Sequence, residues 1–453
     1  MGKRKNINRS KLIALGVIVI AFALLLFFPL PGDEAEAEPI LTEIPLTIRS
    51  VGDIMGHLSQ LIANYDNATG TYDFSGDYVY VNKYIKEADL ALCNVETTFG
   101  GGDDYKGYPY FNSPDKMAYD IAQAGFDVAL FSNNHILDTN LAGLERSLDV
   151  LRDAGMATAG ARKDGEDRGL IVSAAGINIG VAAYTYETSS YNGMRTLNGT
   201  LMPEGAQQYI NSFRPYALDE DMAYIASDIQ ALKEKGADIV VAYFHWGNEY
   251  QQNASEIQRS MAKSAAEAGA DIIFASHPHV VQEIEEIVVQ EIVEEEPVVE
   301  NLEEKESWIV KFRKAFGIGL DEDKQEVIVE EGPKIKTRVV PVFYSMGNFI
   351  SNQREETLDN RHTEQGMIAS VSLTYVLETG EIKNVDTRFI PTWVEKYNKN
   401  GKTEYAIIPL VGDFRDNVDL VSSGHLNRAQ QALEDMIDLI GASYLYQYSY
   451  GAE

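Results

Sequence analysis

Short, continuous apolar runs recur along the chain, and each run stops at a polar motif. The clearest runs cover residues 128–131, 239–244 and 272–275. Continuous hydrophobicity of this length is typical of strands that are buried on both faces, because half-exposed strands alternate between apolar and polar residues. The pattern therefore predicts several buried strands rather than a surface sheet.

An amphipathic, alanine-rich stretch precedes each of these runs and ends at a glycine, namely Gly125, Gly236 or Gly269. Glycine readily adopts the left-handed backbone with which many helices end, so each glycine predicts a helix C-terminus. Helix, turn and buried strand repeated along a chain predict an α/β fold. In such folds ligands bind beyond the carboxyl ends of the strands, which is where each polar motif falls.

The polar motifs contain five of the seven histidines, next to carboxylates and carboxamides. The motifs are GDIMGH (52–57), NVE (94–96), SNNH (132–135), FHWGNEY (244–250) and SHPH (276–279). A single histidine at a strand end is more often structural than a metal ligand, but several such motifs at equivalent strand ends favour a metal site. Imidazole and carboxylate ligands suit Zn, Mn and Fe, whereas Ca and Mg prefer oxygen alone.

Charge and cysteine content exclude two classes of function. The net charge of -31 argues against nucleic acid as a partner, because phosphate backbones require a basic footprint. The single cysteine, Cys93, excludes an intramolecular disulfide and a thiolate zinc cluster. Any metal site must therefore use nitrogen and oxygen ligands.

The N-terminus predicts a membrane anchor. A basic tail (1–11) precedes an uncharged apolar run (12–30), and at about 1.5 Å per residue this run spans a bilayer core of roughly 30 Å. The basic flank keeps that end cytoplasmic, so we expect a single-pass protein of the cell membrane whose C-terminal domain is extracellular, beyond an acidic linker (31–45). The alternative is a cleaved signal peptide, with AEA at 35–37 as the cleavage site.

In their order, the motifs resemble those of calcineurin-type metallophosphoesterases. More specifically, they resemble the CapA family of bacterial capsule or poly-γ-glutamate synthesis proteins through GDIMGH, NVET, SNNHILD, HWGNEY, SHPHVVQ and YSMGNF. The resemblance covers about residues 46–395. It implies a four-layer α/β/β/α metallophosphatase-like sandwich, which one N-terminal transmembrane helix precedes.

The resemblance also implies a site with two divalent metal ions (Mn, Zn or Fe) bridged by Glu96. The implied ligands are Asp53, His279 and His57 for one ion, and Asn134, His245 and His277 for the other. Two departures from the phosphoesterase pattern affect these assignments. D-x-H has become D-x-x-x-H, which puts His57 in doubt, and G-D-x-x-D has become N-x-E, which places a longer side chain at the bridging position.

Further roles follow from the same resemblance. His135, with Asp138 as its orienting partner, is the candidate for protonating the leaving oxygen. Glu249, Ser345 and Asn348 are expected to line the substrate side.

An acidic insertion interrupts the domain at 283–335. Within it, IEEIVVQEIV (284–293) and QEVIVEE (325–331) are expected to pair as a β-ribbon, with an aromatic helix around Trp308 between them. The insertion is either a solvated decoration or a surface that contacts a membrane or partner. The C-terminal segment (396–453) is expected to add a strand and a helix packed on the domain.

Two classes of function agree with these features. The first is a metal-dependent hydrolase or transferase acting on an anionic envelope polymer or a phosphoester. The second is an accessory or scaffold subunit of a membrane-bound polymer synthase. Because similar metal sites serve different reactions, the sequence leaves this choice open.

Overall fold

The computed structural model describes residues 41–293 and 334–447. The predicted membrane anchor (12–30), most of the linker and the aromatic stretch around Trp308 lie outside these ranges. Within the described residues, no helix is long and apolar enough to cross a membrane. The domain boundaries drawn from the sequence stay predictions.

Strands and helices alternate through the first part of the described chain, and antiparallel strands dominate its last part. The strands are β1 (Glu43–Ile54), β2 (Tyr65–Asp66), β3 (Thr71–Tyr72), β4 (Leu90–Val95), β5 (Val128–Leu130), β6 (Ala157–Ala159), β7 (Leu170–Ala174), β8 (Ile177–Tyr186), β9 (Thr188–Tyr191), β10 (Met194–Leu197), β11 (Thr200–Leu201), β12 (Ser212–Phe213), β13 (Ile239–His245), β14 (Ile272–Ser276), β15 (Ile284–Val293), β16 (Lys334–Phe343), β17 (Asn348–Ile350), β18 (Gln365–Val376), β19 (Glu381–Lys399) and β20 (Lys402–Pro409). The helices are α1 (Leu58–Ala63), α2 (Asn82–Lys86), α3 (Lys116–Ala124), α4 (Asn140–Asp153), α5 (Leu218–Glu234), α6 (Glu256–Glu267), α7 (Glu355–Leu358), α8 (Val418–Ser423) and α9 (Leu426–Ile440).

Two large sheets form the centre of the molecule. The first has the order β20-β19-β18-β1-β4-β5-β6, with β17 also paired to β1. Its strands β1, β4, β5, β6 and β17 are parallel, whereas β18 to β20 are antiparallel. The second sheet has the order β12-β8-β13-β14-β16-β15, with β7 paired to β8. The parallel strands of both sheets supply the carboxyl ends at which the polar motifs lie.

The buried side chains show that the two sheets pack face to face between two layers of helices. In β4, Leu90 and Leu92 belong to a core cluster shared with the second sheet, whereas Ala91 and Cys93 belong to the cluster under α1 to α4. Strand β13 alternates in the same way between the shared cluster and the cluster under α5 and α6. Period-two alternation with both faces apolar is what a strand buried between two layers requires. The expected α/β/β/α order is therefore observed.

The predicted helix ends and strands are confirmed where the apolar runs indicated them. Gly125 ends α3 with a left-handed backbone (φ 116°), and Gly236 and Gly269 have φ values of 92° and 112°. The three apolar runs form β5, β13 and β14. Helix α9 packs into the core cluster shared by the two sheets.

One predicted strand pairing is wrong. Strand β15, the segment IEEIVVQEIV, pairs antiparallel with β16 over its whole length, from Ile284 opposite Phe343 to Val293 opposite Lys334. It thereby forms an edge of the second sheet rather than a separate ribbon with QEVIVEE, which lies outside the described residues. Strand β16 pairs with β14 at Val342 and Phe343, so the longer β15–β16 pair extends beyond β14.

A β-bulge at Gly52 sets the direction of Asp53. The register between β1 and β4 shifts between Val51, which lies opposite Cys93, and Asp53, which lies opposite Asn94. A bulge inserts one residue and reverses the alternation beyond it. Val51 packs under the helices, and the side chain of Asp53 instead joins polar groups at the carboxyl ends of the strands.

Gly52 also permits the close approach of β1 and the segment before β17. A Cβ atom at position 52 would lie 1.9 Å from the carbonyl oxygen of Gly347, a backbone atom that cannot move independently. The same carbonyl accepts a 3.0 Å hydrogen bond from the backbone N–H of Asp53. The short distance between β1 and the segment before β17 therefore requires glycine at position 52.

We predict that Gly52→Ala lowers the free energy of unfolding by about 1–3 kcal/mol, because the added methyl group forces the two segments apart. Thermal unfolding of the purified protein measures the effect. Gly76→Ala is the matched control, since no atom lies within 4 Å of a Cβ built there. Equal melting temperatures for the two variants would contradict the close approach at Gly52.

Candidate metal centre

The carboxyl ends of parallel strands from both sheets bring two carboxylates and three imidazoles together. Asp53 lies near the end of β1, and Glu96 follows β4 in the same sheet. His245 is the last residue of β13, and His277 and His279 follow β14 in the second sheet. All five side chains are buried, which is unusual for groups of this polarity.

These five side chains form two groups that share Glu96. One group is Glu96, His245 and His277, and the other is Asp53, Glu96 and His279. Within each group, the potential ligand atoms lie within 4.8 Å of one another. Oε1 of Glu96 lies 3.6 Å from Nε2 of His245 and 3.9 Å from Nε2 of His279. This is the geometry expected when one carboxylate bridges two cations.

The hydrogen bonding of these groups fits a cation better than it fits an empty polar cluster. Among the described residues, Oε1 of Glu96 and Nδ1 of His277 are buried and have no hydrogen-bond partner. A buried polar atom left without a partner costs about 1–3 kcal/mol, and more if it is charged. A metal ion would satisfy both atoms, and nitrogen with carboxylate oxygen is a donor set that borderline divalent ions accept.

The pKa shifts in the cluster also favour a bound cation. Burial, followed by the neighbouring charge of Asp53, raises the pKa of Glu96 well above its usual value. Burial lowers the pKa of His245 and His277 well below the usual value, and the neighbouring imidazoles add to the effect. Neutral imidazole is the form that binds a metal, and a bound cation offsets the repulsion between the two carboxylates.

His279 differs from the other two imidazoles because Asp53 holds it. Its Nδ1 lies 2.9 Å from Oδ2 of Asp53 and 3.2 Å from Oδ1 of Asn348. Burial disfavours its charged form, but the hydrogen bond and charge of Asp53 outweigh burial and raise the pKa of His279. The ring is therefore fixed in orientation, and its Nε2 is directed to Glu96.

Asn134 lies beside the first of the two groups. Its Oδ1 is 2.8 Å from Nε2 of His245, so the amide oxygen reaches the same space as the Glu96–His245–His277 group. The structure thus brings together Asp53, Glu96, Asn134, His245, His277 and His279, which are six of the predicted ligands. Their role as metal ligands stays a prediction.

Asn94 was not among the predicted site residues, although it connects several of them. Its Nδ2 lies 2.7 Å from Oδ1 of Asp53, 3.3 Å from Oε2 of Glu96 and 3.5 Å from Nδ1 of His245. Asn133 in turn donates to Oδ1 of Asn94 at 3.2 Å. The signal was present in NVE, because residues two apart on a strand share a face and Asn94 must point where Glu96 points.

The SHPH segment holds its two imidazoles with an unusual backbone. His277 and His279 both have positive φ values, 103° and 56°, on either side of Pro278. Left-handed conformations cost L-residues about 1–3 kcal/mol and cluster at functional sites. The ring of Tyr186, at the end of β8, packs 4.5 Å from the ring of His277 and was also missed by sequence reasoning.

His135 and Asp138 form a pair next to the cluster. Nδ1 of His135 lies 2.8 Å from Oδ2 of Asp138, and this oxygen also accepts a 2.6 Å hydrogen bond from the backbone N–H of Phe111. The ring of Phe111 packs edge-on against His135 at 4.7 Å. This arrangement commits Nδ1 to the carboxylate and leaves Nε2 as the atom that can hold or deliver a proton.

His57 belongs to neither group. Its Nδ1 lies 3.2 Å from Oε1 of Gln60 and accepts a 3.2 Å hydrogen bond from the backbone N–H of Asn352. Burial, followed by the charge of His279, lowers the pKa of His57 to about 3. The imidazole thus connects the start of α1 to the segment after β17, and this geometry gives no support to His57 as a ligand.

The three residues predicted to line the substrate side differ in their positions. Glu249 is exposed, and after burial its charge is the next cause that raises the pKa of Tyr186 and Tyr250, so it lies at the rim of the cluster. Ser345 is buried and donates to the carbonyl oxygen of Val280. Because Ser345 is used in this way, we interpret it as a structural residue.

Asn348 has a positioning role rather than direct access to substrate. It is fully buried, its oxygen lies beside Nδ1 of His279, and its amide donates to the carbonyl oxygens of His279 and Thr363. These contacts fix the second histidine of SHPH.

The sequence is similar to known proteins over most of the folded part. The family profile described as "Bacterial capsule synthesis protein PGA_cap" matches residues 47–353. The chain is 29% identical over 251 residues to the capsule biosynthesis protein CapA of Bacillus anthracis, covering 52% of this chain and 55% of that protein. It is 26% identical over 290 residues to the PGA biosynthesis protein CapA of Bacillus subtilis (strain 168), covering 62% and 70%. The chain therefore spans only about half the length of the first of these relatives.

Two solved structures show a more distant similarity. A novel phosphatase of Mycoplasma pneumoniae matches with a TM-score of 0.37 and 11% identity, over 78% of this chain and 95% of that chain. The calcineurin-like phosphoesterase YfkN of Bacillus subtilis matches with a TM-score of 0.35 and 13% identity, over 88% and 99%.

We predict that the purified protein binds two divalent transition-metal ions per chain and that Glu96→Gln loses both, because Glu96 is common to the two groups. His277→Ala removes a ligand of one group only, so we expect it to lose one ion. Elemental analysis after dialysis measures the metal content. His362→Ala is the control, since His362 lies outside both groups and contacts Gln365. Loss of equal amounts of metal in Glu96→Gln and His277→Ala would contradict a bridging role for Glu96.

Proposed function

This chain belongs to the PGA_cap family of bacterial capsule synthesis proteins, and from this premise we propose that it is a metal-dependent hydrolase or transferase that acts on an envelope polymer during capsule or poly-γ-glutamate biosynthesis. The proposal goes beyond family membership in three respects. It assigns a dinuclear metal site, a catalytic role and a location at the outer face of the cell membrane.

The observation that carries the catalytic proposal is the position of Glu96. A buried carboxylate lies between two sets of ligands, one with Asp53 and His279 and one with His245 and His277. Such a carboxylate is unfavourable in a purely structural domain, since Asp53 lies beside it and burial raises its pKa. Two bound divalent cations would supply Lewis acidity to a phosphoryl or carbonyl group and lower the pKa of water.

The chain's own residues supply the remaining chemistry. Asp138 orients His135 through Nδ1, so Nε2 of His135 can hold a proton for the leaving oxygen. Asn94 and Asn348 orient Asp53 and His279, which keeps the ligand atoms in place before substrate binds. The ring of Tyr186 packs against one side of His277.

Membrane attachment completes the proposal. The uncharged run at 12–30 would anchor the chain, and the folded domain would act outside the cell, next to subunits of a membrane-bound polymer synthase. The relatives' names refer to capsule and PGA biosynthesis, which supports an anionic polymer as substrate. With a net charge of -31, the general surface would repel such a polymer, so contact must be local.

We predict that His135→Ala lowers the turnover of the metal-loaded protein by about 10²- to 10⁴-fold while the metal content stays unchanged, because His135 provides a proton and no ligand. Asp138→Asn should have a smaller effect, since it alters only the orientation of the ring. The measurement is the rate of cleavage of γ-linked polyglutamate and of phosphodiesters, followed in parallel with elemental analysis.

The control for this experiment is His425→Ala, which removes a histidine that contacts Glu395 far along the chain from the cluster. Cleavage of polyglutamate alone would identify the polymer as substrate, and cleavage of phosphodiesters alone would identify a phosphoesterase. Metal-loaded protein that cleaves neither would favour an accessory subunit without catalytic activity.

We predict that the mature protein retains its N-terminal segment in the cell membrane. N-terminal sequencing and membrane fractionation of the protein from its host measure this. A mature chain that starts at Glu38, after the AEA sequence, would refute the anchor and identify a cleaved signal peptide.

A further inference from the structure

Four arginines from separate segments converge beside the candidate metal centre, although acidic residues outnumber basic ones by 69 to 38 in the chain. Arg168, Arg195 and Arg214 line one cavity of about 430 Å³. Arg162 lies directly behind it, since it donates to the backbone carbonyl of Gln207, another residue of the cavity wall. In so acidic a protein, such a concentration of guanidinium groups requires an explanation.

Three of these arginines are only partly used by their carboxylate partners. Arg168 donates to Asp228 through Nε, Arg195 to Glu187 through Nε and Nη2, and Arg214 to Asp221 through Nε and Nη2. The largely exposed Glu220 also contacts Nη2 of Arg214.

Each of these three arginines keeps N–H donors that no described residue uses. Nη1 of Arg195, Nη1 of Arg214 and both Nη atoms of Arg168 donate to no residue in the described ranges. A guanidinium group has five N–H donors in a planar fork, so these atoms can bind an anion without breaking the ion pairs.

Arg162 supplies charge without a carboxylate of its own. Its side chain is buried, and it donates to Oδ1 of Asn211 and the carbonyl oxygen of Gln207, both of which are neutral. No described carboxylate forms an ion pair with it. Burial, followed by the charge of Arg168, lowers the pKa of Arg162 to about 10. An anion near this side chain would offset the cost of burying it.

The rest of the cavity wall suits an oxyanion. Ser227 adds a hydroxyl group to the arginine donors, whereas the hydroxyls of Ser212 and Tyr224 already donate to Glu187 and to the carbonyl oxygen of Ser212. The carboxylates in the wall, Asp221 and Asp228, are those paired with Arg214 and Arg168. Tyr224 also lies under the guanidinium group of Arg168, 5.0 Å from it, which fixes the direction of that side chain. The wall therefore combines charge, hydrogen-bond donors and a fixed geometry.

The cavity is linked to the metal centre through two consecutive residues at the end of β8. Glu187, the partner of Arg195, directly follows Tyr186, whose ring packs 4.5 Å from that of His277. Glu187 is also part of the wall of a larger open groove that includes Tyr191 and Tyr216. Two consecutive residues, Tyr186 and Glu187, therefore connect the metal centre to the arginines.

We propose that this arginine-lined cavity binds an oxyanion, a carboxylate or phosphate group, of the substrate whose reacting bond lies at the metal centre. The inference rests on the proposed function for the identity of the substrate, but anion binding itself can be measured without catalysis. Guanidinium forks pair with carboxylate and phosphate in the same bidentate manner, and each charge-assisted hydrogen bond is about twice as strong as a neutral one.

The test is isothermal titration calorimetry of the full-length, metal-stripped protein with two probes, inorganic phosphate and γ-linked tetraglutamate, at low ionic strength. We expect Arg168→Gln to weaken binding of the effective probe about tenfold, because it removes one guanidinium fork. Arg168→Lys keeps the charge and the partner Asp228 but loses the fork, so we expect a smaller loss. Arg361→Gln, which removes an exposed arginine paired with Asp435, is the matched control and should bind like the wild type.

Thermal unfolding and metal uptake show whether each variant keeps its fold and its metal centre. Binding of tetraglutamate alone would support the site and identify the polymer as its ligand, and binding of phosphate alone would support it for a phosphoester. The proposal would be overturned if neither probe binds. It would also be overturned if Arg168→Gln, Arg168→Lys and the wild type bind the probe with equal affinity. Binding that requires metal would also overturn it, because the anion would then belong to the metal centre. If the protein binds the anion through its arginines but catalyses no reaction, only the proposed function is contradicted.

Discussion

Burial of two neighbouring carboxylates is the constraint on which the rest of the site depends. Asp53 and Glu96 are both fully buried, and the charge of Asp53 contributes to the raised pKa of Glu96. A protein pays heavily for such a pair unless hydrogen bonds or cations compensate it. Asn94 and His279 compensate Asp53, but one oxygen of Glu96 has no partner among the described residues. The hydrogen bonds of the protein thus compensate both oxygens of Asp53 but only one oxygen of Glu96, and we propose that a cation binds the other.

The fold places the site side chains together through general rules of sheet packing and through one local exception. Parallel strands end at the same edge of a sheet, and two such sheets packed face to face bring their carboxyl ends together. Regular alternation would direct Asp53 under the helices. The bulge at Gly52 reverses it, and the absence of a side chain at Gly52 lets the carbonyl oxygen of Gly347 approach closely. Since Asp53 also pairs in register with Asn348, this contact sets the spacing between the carboxylate and the residue that orients His279.

Sequence reasoning captured what depends on periodicity and missed what depends on tertiary contacts. Apolar runs and helix-ending glycines predicted β5, β13 and β14, because buried strands leave a local signal. The spacing of Asn94 from Glu96 could have placed it at the site, but its contacts with Asp53 and His245 depend on the tertiary structure. Ser345 carries no local sign that its hydroxyl donates a hydrogen bond to the carbonyl oxygen of Val280. His57 was doubtful from its spacing, but only the structure shows its contact with Asn352, which is far along the chain. The partner of β15 likewise depended on which strand lay beside β14.

Charge distribution links the metal cluster to the arginine cavity. An acidic surface keeps polyanions away from most of this molecule, so an anionic substrate would bind only where positive charge is concentrated. The described residues include two candidate places: the ligand cluster, which becomes positive only when cations bind, and the arginine cavity, where three of the four arginines pair with Glu187, Glu220, Asp221 and Asp228 but keep unused guanidinium N–H donors. Tyr186, at the end of β8, contacts the cluster through His277, and the next residue, Glu187, pairs with Arg195 of the cavity. Under the two proposals above, a substrate held at its anionic group by the arginines would present a neighbouring bond to the metals, so the guanidinium donors would select the chain and the bound cations would act on it.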